Sequence, residues 1–384
     1  MSPPAVRNIL LLGAGHAHVE VLRAFAAKPE PSTRLTLVTR EANSPYSGML
    51  PGFIAGHYGF EQAHIHVAPL AQSANAELYL DEACGIDLAQ KRVLRRGGPP
   101  LSFDILSIDI GSRPNTFSAP GADEHAIPVK PIDGFIEKFE ALRNRVAASG
   151  FRARICMVGA GAGGVELLLS AQYRLLLEAV RAGKGGERLS FALITGANGL
   201  LPSFAGGVRR RVRRILLRRG MRVHERANVA FVERGKLHCE DGSLVEADEI
   251  LWTTQASAAP WLRETGLALD GGGFLRVDST LRCEGRNDVF AAGDIADFGP
   301  RALPKAGVYA VRAGPVLAHN LHAAATSAGL REYKPQRRVL SLISMGDRRA
   351  IGSRNGFSVE GEWVWQVKDW IDRRFMARYR YPEN

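Results

Sequence analysis

Apolar and polar positions follow one pattern that occurs twice along the chain. Ile9-Leu10-Leu11-Leu12 is an apolar run closed by Gly13-Ala14-Gly15, and residues 18 to 27 then carry apolar positions at helical spacing ahead of Pro29. A short apolar run bounded by glycines predicts a buried strand and a tight turn, and the 3.6-residue period predicts a helix that stops before the proline. Leu35 to Val38 predicts the next strand. The echo begins at Ile155-Cys156-Met157-Val158, turns at Gly159-Ala160-Gly161-Ala162-Gly163-Gly164, continues as a helix over Val165 to Val180 and returns as a strand at Phe191 to Thr195. Two units of strand, glycine turn, helix and strand are each the start of a doubly wound parallel sheet.

The fold class is therefore α/β, with two Rossmann-like dinucleotide-binding domains and a small C-terminal module. Between the units, Leu101 to Ile110 predicts a strand, residues 111 to 130 a linker and Ile132 to Ala147 a helix. Short alternating strands follow over residues 221 to 253. A strand at Asp288 to Ala292 takes the chain back to the first domain. From Tyr333 the chain becomes Arg-rich, with Trp363, Trp365 and Trp370. The expected division is 1–115 with 275–330, then 116–274, then 331–384.

Composition narrows the setting. With 384 residues, 46% hydrophobic and 23% charged, the chain is ordinary globular material of two or three domains. Lys and Arg (50) exceed Asp and Glu (39), a net charge of +11 that attracts nucleotides, nucleic acid or acidic lipid alike. Cysteines 84, 156, 239 and 283 have no C-x-x-C spacing, so neither a disulfide framework nor a zinc site is expected and a reducing compartment fits. No signal-peptide pattern and no run of about eighteen apolar residues is present, so the expected place is the cytoplasm, with peripheral membrane binding left open.

A glycine turn ahead of a helix lets backbone N–H groups face a pyrophosphate. In the second unit Gly159, Gly161 and Gly164 fill all three positions of that fingerprint, and Ala162 and Gly163 lie between them. In the first, Gly13, Ala14 and Gly15 lead into His16, Ala17 and His18, with His18 where the third glycine should allow close packing. His16 and His18 lack a third ligand at suitable spacing, so no metal is expected. Where an acid usually holds the ribose, the first unit has Thr39 and Arg40 with Glu41 beyond. The second has Thr195-Gly196, with neither an acid for NADH nor an obvious arginine for a 2′-phosphate.

These turns, with two further segments, resemble the FAD-dependent pyridine nucleotide-disulfide oxidoreductase superfamily. Phe103 to Ile110 with Gly111-Ser112-Arg113-Pro114 looks like its interdomain strand and turn, with Asp109-Ile110 in place of the usual Ala-Thr. Asp288 to Asp294 looks like its second FAD signature, in which the aspartate meets the ribityl chain. Gly15 to Val19, Pro45 to Gly52, Ile127 to Phe135, Pro304 to Val308 and Lys368 to Met376 are most similar to a NADH dehydrogenase-like branch, found alone or fused to selenophosphate synthetase. Broader relatives are type II NADH dehydrogenases and sulfide:quinone oxidoreductases. The resemblance implies FAD, an NAD(P)H donor and a quinone or another small acceptor. It implies cofactor contacts at Ser47, Gly48, Gly111, Ser112, Arg113, Gly293, Asp294, Pro304 and Ala306, and catalytic roles for Glu166 and Lys305. Glu166 would lie near the nicotinamide, and Lys305 would stabilise the charged flavin edge; the plain alternatives are a helix N-terminal acid and a solvated lysine.

The cysteine pair of the disulfide reductases is missing, since no cysteine precedes Cys84. Cys156 and Cys283 read as inert, and Cys84 and Cys239 as peripheral. Arg209 to Arg219 reads as the solvated face of a helix, and no nucleic acid is expected. In the tail, Trp363, Val367, Trp370, Ile371, Phe375 and Tyr379 recur at helical spacing. That helix could lie on a membrane surface, dock on the body or support a homodimer. The leading reading is an FAD-dependent NAD(P)H:quinone reductase; its rivals are a reductase of a sulfur or selenium compound and a flavin-bearing sensor or scaffold.

Overall fold

The computed structural model describes residues 6–116, 118–148, 152–183, 188–254 and 256–380. The first unit opens with β1 (Arg7–Leu12), α1 (His16–Ala27), β2 (Thr33–Thr39), β3 (Ala76–Leu80) and β4 (Ile105–Ile108). Next come α2 (Ile132–Ala147), β5 (Ala153–Val158), α3 (Ala162–Arg181), β6 (Leu189–Ile194), α4 (Gly206–Arg218), β7 (Arg222–His224) and β8 (Glu249–Trp252). β9 (Val289–Ala291) and α5 (Gly307–Thr326) precede a tail of β10 (Ser341–Ser344), β11 (Ala350–Arg354), β12 (Phe357–Gly361) and α6 (Glu362–Met376).

Two parallel five-stranded sheets result. The first has the order β9-β4-β1-β2-β3; in the second, Ile127–Pro128 borders β8-β5-β6-β7. Both central strands are buried on both faces, which their unbroken apolar runs require. The registers match: Leu12 pairs with Val38 and Ile108, and Val158 with Ile194 and Trp252. Helices α1 and α5 pack together where Gly314 leaves room, since a Cβ there would stand 2.7 Å from Glu20 Cβ.

The helices α1 and α3 begin earlier than their apolar periodicity suggests, because their first turns are made of the glycine-loop residues. The strand expected over Leu101 to Ile110 is two: Gly98–Ser102 belongs to an antiparallel sheet, and β4 starts after a break where Asn8 N–H donates to Asp104 Oδ2 at 2.7 Å. Cys239, expected at the periphery, is buried. The expected linker carries a short helix, Ala122–His125. No helix among the described residues is long and apolar enough to cross a membrane.

Candidate active site

At the first turn, Gly13 N–H donates to Val38 O at 2.7 Å and Gly15 N–H to Asp109 O at 3.2 Å. Gly13 has φ +89°, and a Cβ would stand 2.5 Å from Asp109 O, so only glycine fits. Asp109 follows β4 directly. Its Oδ2 accepts Ala17 N–H at 2.8 Å and His18 N–H at 3.1 Å, and a Cβ on Gly15 or Gly293 would stand 2.3 Å from this carboxyl. Both flavin-type signatures therefore close on one aspartate. Burial raises its carboxyl to about 7, against the pull of the His18 and Ala17 N–H groups, with Asp294 adding to the rise.

His18 is fully buried. Its Nδ1 lies 2.6 Å from Gly13 O and its Nε2 2.8 Å from Ser107 Oγ. A carbonyl only accepts, so Nδ1 carries the hydrogen and Nε2 accepts the serine hydroxyl; burial holds the ring neutral, with its pKa down at about 4. His18 thus braces the turn where a third glycine was expected. His16 is different: its buried Nε2 has no hydrogen-bond partner, and the ring lines the cavity within the field of Asp294 and Lys130. Lys130 Nζ donates to Asp294 Oδ2 at 2.6 Å and to Ser112 Oγ at 3.1 Å, and Ser112 Oγ lies 3.1 Å from the same Asp294 oxygen. Burial opposes ionisation of Asp294, but Lys130 and Ser112 hold its pKa below the ordinary carboxylate value.

The second turn repeats the backbone without the braces. Gly159 N–H donates to Ile194 O at 3.1 Å, and Thr253 occupies the place of Asp109. A Cβ on Gly164 would stand 2.0 Å from Gly159 O and 2.6 Å from Thr253 Oγ1. Among the described residues no acceptor meets the N–H groups of Gly163 and Gly164. An α-helix presenting free donors in this way is an anion site.

One cavity of about 1240 Å³ runs along both turns. Of the residues anticipated from sequence, it is lined by Gly13, Ala14, Gly15, His16, Thr39, Arg40, Ser47, Gly111, Ser112, Arg113, Gly161, Ala162, Gly163, Glu166, Asp294, Pro304, Lys305 and Ala306. Ala17, His18, Gly48, Gly159, Gly164 and Gly293 stand behind that lining and shape it. Lys305 does not aim its charge freely into the space: Nζ donates to Ala296 O at 2.7 Å and lies 3.9 Å from the centre of the Phe274 ring. Burial lowers its pKa.

Glu166 sits inside the wall, where Oε1 accepts Ser344 N–H from β10 at 2.7 Å. Burial raises its carboxyl to about 7, opposed by Lys368 and the Ser344 N–H and reinforced by Asp372. The tail supplies these neighbours. Lys368 Nζ donates to Gly48 O at 2.5 Å and to Asp372 Oδ2 at 2.6 Å, and Tyr46 Oη donates to Asp372 Oδ1 at 3.3 Å. The inner face of α6 therefore docks on the body, while Trp363, Val367 and Trp370 are exposed on its outer face. Cys283 is buried, its thiol pushed up to about 12 by burial first, so it is not a ready nucleophile.

Asp109, Lys130, Lys368 and Asp372 are the site residues that motif reading assigned no role. The departure Asp109-Ile110 was the available signal for the first; the others depend on contacts across the fold. The donor set fits a dinucleotide. The first turn admits no Cβ at Gly13 or Gly15, and the partnerless His16 Nε2 on the cavity wall awaits a polar group.

Known proteins resemble the chain over nearly its full length. It is 25% identical over 353 residues to the NADH dehydrogenase-like protein YutJ of Bacillus subtilis, covering 90% of this chain and 92% of that one. It is 24% identical to a type II NADH:quinone oxidoreductase of Staphylococcus epidermidis, covering 96% and 94%. The structure of NDH2 from Plasmodium falciparum in complex with NADH superposes with a TM-score of 0.82 at 14% identity, covering 97% of both chains. Residues 7–320 match the pyridine nucleotide-disulphide oxidoreductase family, and the chain belongs to that family.

Proposed function

We propose that the protein is an FAD-dependent NAD(P)H dehydrogenase that delivers electrons to a quinone. The observation that carries this reading is the single cavity shared by both glycine turns, which allows two dinucleotides to meet between the domains. The names of the relatives, NADH dehydrogenase-like protein and type II NADH:quinone oxidoreductase, agree with it. Bound FAD would supply the redox centre that takes a hydride from the nicotinamide and passes electrons on.

The chain's own residues bind and orient. The first turn and the Lys130–Asp294–Ser112 cluster hold the flavin nucleotide, and the free donors of α3 hold the pyrophosphate of NAD(P)H. Glu166, with its carboxyl near 7, keeps a proton available at neutral pH beside the cavity, where a quinone oxygen would need one. The exposed face of α6, with Arg374 5.4 Å from the centre of the Trp370 ring, supports peripheral attachment to the inner face of the cell membrane, where quinones reside.

The test is direct. Purified protein should show a flavin absorption spectrum, bleach rapidly on anaerobic mixing with NADH or NADPH, and recover colour on addition of a quinone. Bound flavin that neither nucleotide reduces would overturn the dehydrogenase reading.

A further inference from the structure

The two domains differ at the corner where the adenosine ribose of a dinucleotide lies, beyond the end of the second strand of each sheet. Hydrogen bonding aligns them: Asp81 N–H donates to Thr39 O at 2.9 Å in the first, and Ala227 N–H to Thr195 O at 2.8 Å in the second. The first corner is acidic, with Glu41, Asp81 and Glu82 on the cavity wall and Arg40 Nη2 donating to Glu41 Oε1 at 2.5 Å. Carboxylates there suit the hydroxyls of an unmodified ribose.

The second corner has Gly196 and Ala197 where the first has Arg40 and Glu41. Among the described residues no acid stands at the end of β6. The nearby carboxylates are engaged, Glu225 with Arg213 at 2.8 Å and Glu240 with Asn228 Nδ2 at 2.9 Å. What the fold brings in is Arg226, thirty residues away in sequence. Its backbone N–H donates to Thr195 Oγ1 at 3.0 Å, and Asn228 Oδ1 accepts Ala197 N–H at 3.0 Å, so the loop after β7 lies across the end of β6. Arg226 has φ +58°, is exposed, and its guanidinium has no partner among the described residues. The segment that follows β6 holds no arginine for a 2′-phosphate because this one arrives on the loop after the neighbouring strand, β7.

We infer that Arg226 selects for the 2′-phosphate of NADPH over the bare ribose of NADH. The inference rests on the dehydrogenase reading above and names the donor. A guanidinium gains a charge-assisted bond to a phosphate that a ribose hydroxyl cannot offer, and the end of β6 itself, Thr195-Gly196-Ala197, carries no acid to repel that phosphate.

Two readouts test it. The first is equilibrium binding of NADP⁺ and NAD⁺, and of 2′,5′-ADP against 5′-AMP, to the flavin-loaded protein. The second is the rate of flavin reduction by NADPH and NADH. The natural chain should favour the 2′-phosphorylated member of each pair by tenfold or more, and less so as salt rises. Arg226→Ala should cut that ratio about tenfold, Arg226→Lys should keep part of it, and Gly196→Glu should reverse it. Equal or tighter binding of the unphosphorylated nucleotides by the natural chain, or a ratio unmoved by Arg226→Ala, overturns the inference. If neither nucleotide reduces the flavin, the dehydrogenase reading fails, while the binding ratios still decide the role of Arg226.

Discussion

In the first dinucleotide fold two donors at the helix N-terminus, the N–H groups of Ala17 and His18, are already occupied, and in the second their counterparts on Gly163 and Gly164 stand open. Asp109 and Thr253 follow equivalent strands, with Asp109 N–H donating to Leu12 O at 2.9 Å and Thr253 N–H to Val158 O at 2.8 Å. The carboxylate reaches across to Ala17 and His18, whereas Thr253 Oγ1 lies 3.1 Å from both Val158 O and Gly159 O and leaves the helix alone. His18 fills the space that Gly164 must leave empty. A turn braced by its own side chains suits a ligand that arrives once and stays. A bare cradle suits one that must enter and leave at every turnover, in keeping with the proposed assignment of FAD to the first fold and NAD(P)H to the second.

The comparison breaks hardest at the braces. His18→Ala removes a fully buried ring and leaves Gly13 O and Ser107 Oγ without their partner, a loss of about 3–5 kcal/mol. Thermal unfolding should show a large fall in midpoint and purified protein should have lost flavin; a midpoint within a degree or two of the natural chain would mean that the ring is not a brace. In the second fold the reciprocal change is Gly164→Ala. The added carbon meets Gly159 O, so the turn must open and nucleotide affinity should drop about 100-fold, roughly 3 kcal/mol, while flavin content stays unchanged. Titration with nicotinamide nucleotide reads the first effect and the absorption spectrum the second.

This asymmetry was only partly legible in the sequence. Strand, glycine turn and helix could be read because their rules are local: an apolar run, backbone that must take positive φ, a 3.6-residue period. The substitution of His18 for glycine was visible too. Its consequence was not, because Ser107 and Asp109 reach it only through the pairing of β1 with β4, some ninety residues on. The tail helix shows the same limit. Its amphipathic spacing was plain, but Lys368 and Asp372 lie on the buried side only because Gly48 and Tyr46, over three hundred residues earlier, present partners for them. Arg226 escaped notice for the same reason.

The next test isolates the first fold's share of the pH dependence, since Glu166 in the second is also raised to about 7. The Asp109 carboxyl titrates near 7 in the folded chain and near 3.8 when unfolded, so the native state binds that proton more tightly. Its stabilising effect is complete below 3.8 and is lost as pH rises through 7, each unit of the shift being worth about 1.4 kcal/mol. Asn keeps an oxygen for the Ala17 and His18 N–H groups but cannot ionise. Asp109→Asn should therefore make the profile of unfolding midpoint against pH shallower between 5 and 8, Glu166 keeping its own share of the slope in both proteins, and at pH 8 should be more stable than the natural chain by roughly 2 kcal/mol. His16 and His18, whose pKa values fall to about 4, act in the opposite sense as pH drops from 6.5 to 4, equally in both proteins. Parallel profiles would show that the carboxyl is ionised and solvated rather than buried.

The smallest expected effect concerns His16, whose counterpart in the second fold is Ala162. Its Nε2 is the one side-chain polar atom of the first turn that is buried without a partner, and with the ring kept neutral, its pKa lowered to about 4 by burial above all, that nitrogen can donate or accept one hydrogen bond. If bound flavin completes it, loss of the ring removes one neutral hydrogen bond, about 1 kcal/mol, and His16→Ala should weaken FAD binding about fivefold. Fluorescence titration of flavin-free protein measures this, and nucleotide affinity at the second turn should be untouched. An unchanged FAD affinity would mean that an ordered water, not the cofactor, satisfies the nitrogen. The first turn would then hold its ligand through braced backbone and the Lys130–Asp294 pair alone, and the two folds would differ in rigidity but not in the use of a side chain.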